Sequence, residues 1–599
     1  MKSIRLSQAV ALGAAATLAL SGCAANTGTS PSTAPADASA GGGEVRVVEV
    51  NAFSSFNANT ATGSVDVNGK ISYATQSGFN YIDNDLNIVK NEKFGTYEVI
   101  SQDPLTVKYT INEGVKWSDG EQLDADDLML YWAIRSARFN DATVDAEGAV
   151  SSGTSYFDYA GDTSGLALTG LPEIGADHRS ITLKYSKPFA DWELAVGNTN
   201  ADSFTPAHVV AKKVGMSQEE LTKLIQDTPK GNPAKPVAPN AQLKKVANFW
   251  NSGYDTKTLP TDKSLYLSSG PFMVDSMVPD KSMTLVRNPD YDWGPMPQVD
   301  SIVVRYISEA PAQIQALRNG EVDIIAPQAS ADTMQQLEAL GEQAKIEKGE
   351  ELSYDHVDLN FNGVFKDQSV REAFMKTVPR AQIMDSIIKK LDPAATPLDS
   401  QVFVPANAGY AASVAANGSA NFQDVDIAGA RTLLGGKTPT VRLMYNKDNP
   451  NRSDAYALIA QSAQEAGFKV VDGGLGASSW AGALGTGTYD AALFGWTSTG
   501  VGVSGVTQIF GSGNASNFNN FSNKEADELM GQLILETDPA KQDELKAKID
   551  RQIWGAAYGL PLFQLVGVQA SAADVDGVQY MSNQTGVWWN FWDWSLSGK

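Results

Sequence analysis

Apolar and polar residues alternate along Leu105–Ile111, with Leu105, Val107, Tyr109 and Ile111 on one side, which predicts a half-buried strand. The same period of two marks Ile181, Leu183 and Tyr185; Val441, Leu443 and Tyr445 give another strand, and the stretches 45–50, 283–287 and 302–307 are further strand candidates. Elsewhere the spacing turns helical. Asp124 stands as an N-cap, with Asp127 at the third helical position and Leu128, Tyr131, Trp132 and Arg135 following. Ser217 with Glu220, Ser369 with Glu372 and Ser522 with Glu525 have the capping-box spacing ahead of apolar residues. Asp538-Pro539 opens a helix carrying a stripe of Leu545, Ile549 and Ile553. The stretch 313–317 reads as a helix that leaves through Asn319-Gly320 into the β-branched run 322–325. A helix over 456–466 precedes a buried strand, 491–494, that ends at Trp496. Prolines at 229, 233, 236 and 239 mark a loop. No internal repeat is present, and the mixture of strands and helices predicts an α/β protein.

The first 23 residues have another character. Lys2 and Arg5 precede an apolar run, 9–20, interrupted by Thr17 and including Gly13, too short to span a bilayer as a stable helix. Leu20-Ser21-Gly22-Cys23 then resembles the lipobox of bacterial lipoproteins, in which the thiol is diacylated and becomes the mature N-terminus. Cys23 is the only cysteine, so lipidation at Cys23 and a fold without disulfides are expected. Residues 24–43, rich in Ala, Ser, Thr, Pro and Gly, read as a flexible tether.

A content of 42% hydrophobic and 19% charged residues is that of a globular protein, and the length after the tether suits two or three domains. With Lys2 and Arg5 removed from the 46 basic residues, the 69 acidic ones leave a mature charge of −25. That charge opposes nucleic acid and anionic lipid, and no basic-aromatic segment suggests otherwise. The three histidines, His178, His208 and His356, lack metal-ligand spacing, so no metal is expected. Gly500-Val-Gly-Val-Ser-Gly505 matches a dinucleotide fingerprint by letter, but no clear helix is predicted to open from it; a glycine loop beside a cleft is the simpler reading. Ser386-Ile-Ile-Lys389 lacks the companion motifs of penicillin-interacting enzymes, since Lys437-Thr438 is followed by Pro439. No catalytic constellation emerges, no cofactor is implied, and a binding role is expected in place of an enzymatic one.

Several motifs then stand in order. They are Ile111-Asn-Glu-Gly-Val-Lys-Trp117 with Ser118-Asp119-Gly120 and Leu123-Asp-Ala-Asp-Asp127; Ser269-Gly-Pro-Phe272; Arg287-Asn-Pro-Asp-Tyr291 with Asp292-Trp293; Ala316-Leu-Arg-Asn-Gly-Glu-Val-Asp-Ile324; Val370-Arg-Glu-Ala-Phe374; and Pro561-Leu562-Phe563. Together they resemble the extracellular solute-binding proteins of family 5, the peptide/nickel class serving ABC importers, across almost all of the mature chain. The resemblance implies a periplasmic-binding-protein-like fold (type II, large cluster C), two-lobed with an additional inserted subdomain. It divides the chain into lobe I (44–74, 176–308 and 521–599), an inserted subdomain (75–175) and lobe II (309–520).

The implied function is oligopeptide capture in an interlobe cleft and delivery to ABC permease subunits, by a monomer anchored at the extracytoplasmic membrane face. An oligosaccharide or other solute on the same scaffold is the alternative. Two departures from the family pattern stand out. Val378-Pro379-Arg380 replaces Val-Asp-Arg, a change a helix start tolerates. Gly495-Trp496-Thr497-Ser498-Thr499 replaces Gly-Trp-x-x-Asp, so neutral Thr499 stands where peptide binders of the class place an amine-pairing aspartate. A charge-assisted contact of about 1.5–3 kcal/mol becomes an ordinary hydrogen bond there. Candidate cleft residues are Trp496, Thr497, Ser498 and Thr499, with Phe79, Tyr81, Tyr354, Asn360, Asn362 and Tyr445; each could equally pack in a core. The tail tryptophans Trp588, Trp589, Trp592 and Trp594 read either as core or as sugar-stacking surface.

Overall fold

A computed structural model describes residues 42–144, 150–197, 202–497, 500–514 and 516–597. Cys23, most of the tether, Ser498 and Thr499 lie outside the described residues. Among the described residues no helix is long and apolar enough to cross a membrane.

The largest sheet has ten strands, in the spatial order Phe272–Val278, Ser282–Arg287, Ser301–Tyr306, Glu44–Glu49, Ile324–Ile325, Gly559–Ala572, Ala344–Leu359, Ala491–Thr497, Thr440–Asn446 and Lys469–Leu475. Its two central strands, Ala344–Leu359 and Gly559–Ala572, are 16 and 14 residues long and antiparallel. They run from one lobe into the other. Where they cross, the register slips: Glu350 faces Val566 and Tyr354 faces Gln564, so 351–353 bulge outward.

Each lobe has its own core. In the first, Val45, Val47, Ile302 and Val304 pack with Phe272, Leu285 and the tail residues Trp588, Phe591 and Trp594. Trp588 and Trp594 are fully buried, and Trp588 Nε1 donates to Glu49 Oε1 at 2.7 Å. The tail therefore builds core at these two positions, not a stacking surface. The second lobe packs Leu359, Phe374, Leu443, Ile459, Leu493 and Leu560 around the other half of the sheet.

The alternating strands form as the sequence predicts. Leu105–Ile111 buries every second residue, and Ser180–Lys184 pairs beside it in a four-stranded sheet with Gly95–Gln102 and Glu173–Ile174. Asp124 accepts from Asp126 N while Asp127 takes Asp124 N, and the Ser217–Glu220 box closes as written. Two caps differ by one or two residues. Asp367, not Ser369, caps Gln368–Met375, because its carboxylate reaches Ser369 N and Oγ; Asn523, not Ser522, caps Lys524–Leu533. Ser504–Phe510 is a helix, so one does open from the glycine loop, contrary to the expectation.

Two expected boundaries also differ from the packing. A break at 175 would separate Glu173–Ile174 from its partner Ser180–Lys184, and the core under this sheet continues through Val210, Leu243 and Trp250. A return to the first lobe at 521 would part the helix Pro539–Gly555 from the residues it binds. Asp550 on that helix accepts from Ser400 Oγ, Ser413 Oγ, Asn417 Nδ2 and Gln401 N, all second-lobe groups. The return is made by the strand Gly559–Ala572.

Candidate binding cleft

Trp496 sits near the end of the strand Ala491–Thr497, directly opposite Tyr354, and Tyr354 faces Gln564 on its other side. Side chains paired across antiparallel strands share a face, so the three form a row over the place where the chain crosses between lobes. His356 follows two residues along the same face. Its ring lies 6.2 Å from Trp496 at an interplanar angle of 11°, and Phe518 stacks beside Trp496 at 5.7 Å and 6°. Tyr354 is buried and its hydroxyl donates to Gln401 O at 3.1 Å, while burial pushes its pKa well up.

On the opposite face, buried Asp355 accepts a two-point contact from Arg452, at 2.8 and 3.1 Å. A Cβ at Gly495 would come within 2.8 Å of Asp355 Oδ1 and 3.0 Å of Arg452 Nη2, so this pair requires a glycine before Trp496.

The first lobe and the inserted subdomain meet this region through several contacts. Ile82, Leu86, Met581 and Trp589 cluster with Val501, and Leu352 N donates to Ser582 O at 2.7 Å. Asp191, next to the subdomain core, reaches the glycine loop. Its Oδ atoms accept from Val503 N at 2.9 and 3.0 Å, Ser504 N at 2.9 Å and Ser504 Oγ at 2.6 Å. This carboxylate sits at the start of Ser504–Phe510, and a Cβ at Gly502 would fall 2.8 Å from it. At the bulge, burial and then the neighbouring Asp355 push the Glu351 carboxyl up to about 6.

The other candidates scatter. Phe79 is fully buried and meets Phe94, Tyr97, Tyr109 and Phe204 edge-on in the subdomain core, so it is a packing residue. Tyr81 is half-buried against Trp592 at 5.1 Å. Tyr445 is buried and stacks on Tyr456 at 4.7 Å. Asn360 donates to Gly487 O and Tyr489 O and accepts from Asn362 N and Asn520 Nδ2, so its amide holds loops together. Asn360 and exposed Asn362 lie past the far end of the strand; at ~3.3 Å per residue the six residues from Tyr354 to Asn360 separate them by about 20 Å. Thr497 ends its strand beside Ser353. Sequence reading missed Asp191, Gln564 and the approach of Asp126 to His178. Gln564 carries a signal, a lone amide among Leu562, Phe563, Leu565 and Val566; Asp191 carries none. His178 Nε2 lies 3.2 Å from Asp126 Oδ2, near Asp124, but Asp124 is a cap and Asp126 also takes Thr222 Oγ1.

The family model described as bacterial extracellular solute-binding proteins, family 5 Middle, matches residues 95–518. An uncharacterized lipoprotein of Mycobacterium leprae is 26% identical over 564 residues, covering 92% of this chain and 94% of its own. The oligopeptide-binding protein OppA of Mycobacterium tuberculosis is 25% identical over 498 residues, covering 80% and 73%. Among solved structures, a periplasmic EDTA-binding protein, EppA, superposes with a TM-score of 0.78 at 22% identity, over 93% of this chain and 97% of that one. The oligopeptide-binding protein AppA of Bacillus subtilis, in complex with a nonapeptide, gives 0.69 at 18%, over 93% and 99%. The fold is the periplasmic-binding-protein-like two-lobed α/β fold with an extra subdomain.

Proposed function

We propose an oligopeptide-capture role for this chain, which belongs to the bacterial extracellular solute-binding proteins of family 5. Proteins of this family bind solutes and do not transform them. The role is that of the substrate-binding component of an ABC importer, working outside the cytoplasm and handing its cargo to the permease subunits. The observation that carries the peptide reading is the row of Trp496, Tyr354 and Gln564 on the crossing strands, with the Asp191 contact drawn across from the inserted subdomain. Two lobes that meet over such a row can close on an extended ligand and present a different outer surface when loaded. The named oligopeptide-binding relative supports the same ligand class.

Titration calorimetry with a peptide library and a carbohydrate panel tests this; binding to peptides alone is expected, and binding to sugars alone overturns it. A non-peptide solute is the second reading, favoured by the neutral Thr499 and by the EDTA-binding protein on the same fold.

In our reading lipid on Cys23 holds the protein at the extracytoplasmic membrane face, as a monomer. The relative in Mycobacterium leprae being named a lipoprotein supports it. Tethering raises the concentration of loaded protein at the permease without any new contact. Cys23→Ser is expected to release a folded, ligand-competent protein from membranes in detergent partitioning; a variant that stays processed and membrane-held overturns the anchor. The division we propose keeps lobe I around Glu44–Glu49 and Gly559–Ala572, extends the subdomain past 175 to the helix Ala241–Ser252, and assigns 521–555 to lobe II.

A further inference from the structure

Where the inserted subdomain meets the second lobe, the two exchange residues. Ile534, just past the helix Lys524–Leu533, is buried in the subdomain core, and Leu535 packs against that core. In return Ala190 packs against the second-lobe cluster of Val503, Phe510, Ile553 and Tyr558, and its N–H donates to Ile534 O at 2.8 Å. Asp191 is the next residue. It precedes a short 3-10 helix, Trp192–Leu194, yet its carboxylate makes no capping bond there. Both oxygens reach across the boundary instead, to Val503 N, Ser504 N and Ser504 Oγ.

The loop that receives Asp191 is seated on the first lobe and on a crossing strand as well. Val501 packs against Ile82, Met581 and Trp589, and a Cβ at Gly500 would overlap the side chains of Leu352 and Leu86. Residues 500–504 therefore touch the first lobe, the second lobe and the subdomain. Gly500 is also only three residues beyond Thr497, the end of the strand that carries Trp496. A shift of the second lobe away from the other parts has to unseat this loop. The contact is built to be given up: Asp191, Val501 and Ser504 are only half-buried and Gly502 is exposed, so water takes over each hydrogen bond as it opens. Asp355 and Asp550 differ, because they are buried with partners inside one lobe and would be left uncompensated.

We propose that Asp191 and the loop Gly500–Ser504 form a clasp, which fastens when the lobes come together and must open for a ligand to enter or leave. This rests on the reading of the cleft as the binding site. It gives the inserted subdomain, which presents none of Trp496, Tyr354 and Gln564, a part in setting how long the ligand is held. Asp191 is then a positioning residue, acting on the ligand through the loop.

The chain has a single cysteine, Cys23, so an introduced pair reports on the clasp without competition. The test uses the full chain carrying Cys23→Ser, Asp191→Cys and Ser504→Cys. Asp191 Oδ2 and Ser504 Oγ are 2.6 Å apart, which brings the two introduced thiols within reach of a disulfide. Oxidised glutathione closes the bond and dithiothreitol opens it, so the same protein serves as its own folded control. Unliganded, the oxidised form is expected to have a smaller radius of gyration in X-ray scattering than the reduced form. It is also expected to take up tetra-alanine at least tenfold more slowly in stopped-flow fluorescence. Equal radii or equal uptake rates overturn the clasp, making the contact fixed packing, and leave peptide capture standing. Failure of the reduced form to bind tetra-alanine counts against peptide capture alone, and the radii still decide the clasp. If the pair does not fold or does not oxidise, Val501→Ser decides: a radius above that of the unsubstituted protein supports the clasp, and an unchanged one overturns it.

Discussion

Gly495 and Arg452 show how closely the strand of the candidate cleft is set by packing and ion pairing. Arg452 holds Asp355, which is 2% exposed, from below the strand that presents Tyr354. Replacing Arg452 by Met leaves that carboxylate buried and unpaired, at a cost of about 3–5 kcal/mol; urea unfolding is expected to show a loss of that size. Gly495→Ala forces a methyl group into the same pair and is expected to weaken ligand binding along with stability, because Trp496 is the next residue. At this scale the sequence conveys the residues that punctuate structure better than those that meet a ligand. The motif residues are mostly structural hubs: Asp323 binds Arg46 at 2.6 and 2.9 Å, Trp117 Nε1 reaches Asp127, and Trp293 Nε1 donates to Ser269 O. Their patterns identify the fold because the fold depends on them. Ligand contacts carry no such periodic or capping signature, which is why Phe79 looked available and proved buried.

Among elements, the short helix Ser504–Phe510 and the bulge at 351–353 carry contacts between distant parts of the chain. The helix was not visible in a run of glycines because glycine has no intrinsic preference for it; a carboxylate 312 residues away organises its first turn. Asp191→Ala removes charge-assisted contacts to Val503 and Ser504, and is expected to weaken ligand affinity about tenfold and to raise the radius of gyration of the liganded protein in X-ray scattering. An unchanged affinity and radius would show that the contact does not hold the two segments together in the liganded protein. The bulge predicts a pH dependence. Glu351 titrates at about 6 in the folded chain against 4.5 for an ordinary glutamate, so the folded state binds this proton more tightly. Its contribution is fully present below pH 4.5 and is lost as pH rises through 6, by at most about 2 kcal/mol. Glu351→Gln is expected to remove that slope from a series of melts between pH 4 and 7.

For the molecule as a whole, the α/β class and the strand alternation could be read from the sequence, whereas the boundaries between lobes could not. A boundary is a property of packing: nothing in the local pattern around 521 shows that Asp550 is claimed by Ser400, Ser413 and Asn417. Nor does any local pattern show that one ladder of ten strands passes through both lobes. That ladder bears on how the protein comes apart. Lobes joined by a loose linker melt one after another, but here each lobe's sheet is completed by the strands Ala344–Leu359 and Gly559–Ala572 that also complete the other's. Fraying these strands in one lobe removes part of the ladder along which the other lobe's sheet continues. The molecule is therefore expected to give a single calorimetric endotherm whose van't Hoff and calorimetric enthalpies agree; two resolved endotherms would mean that the crossing strands separate the lobes energetically as well as joining them in space.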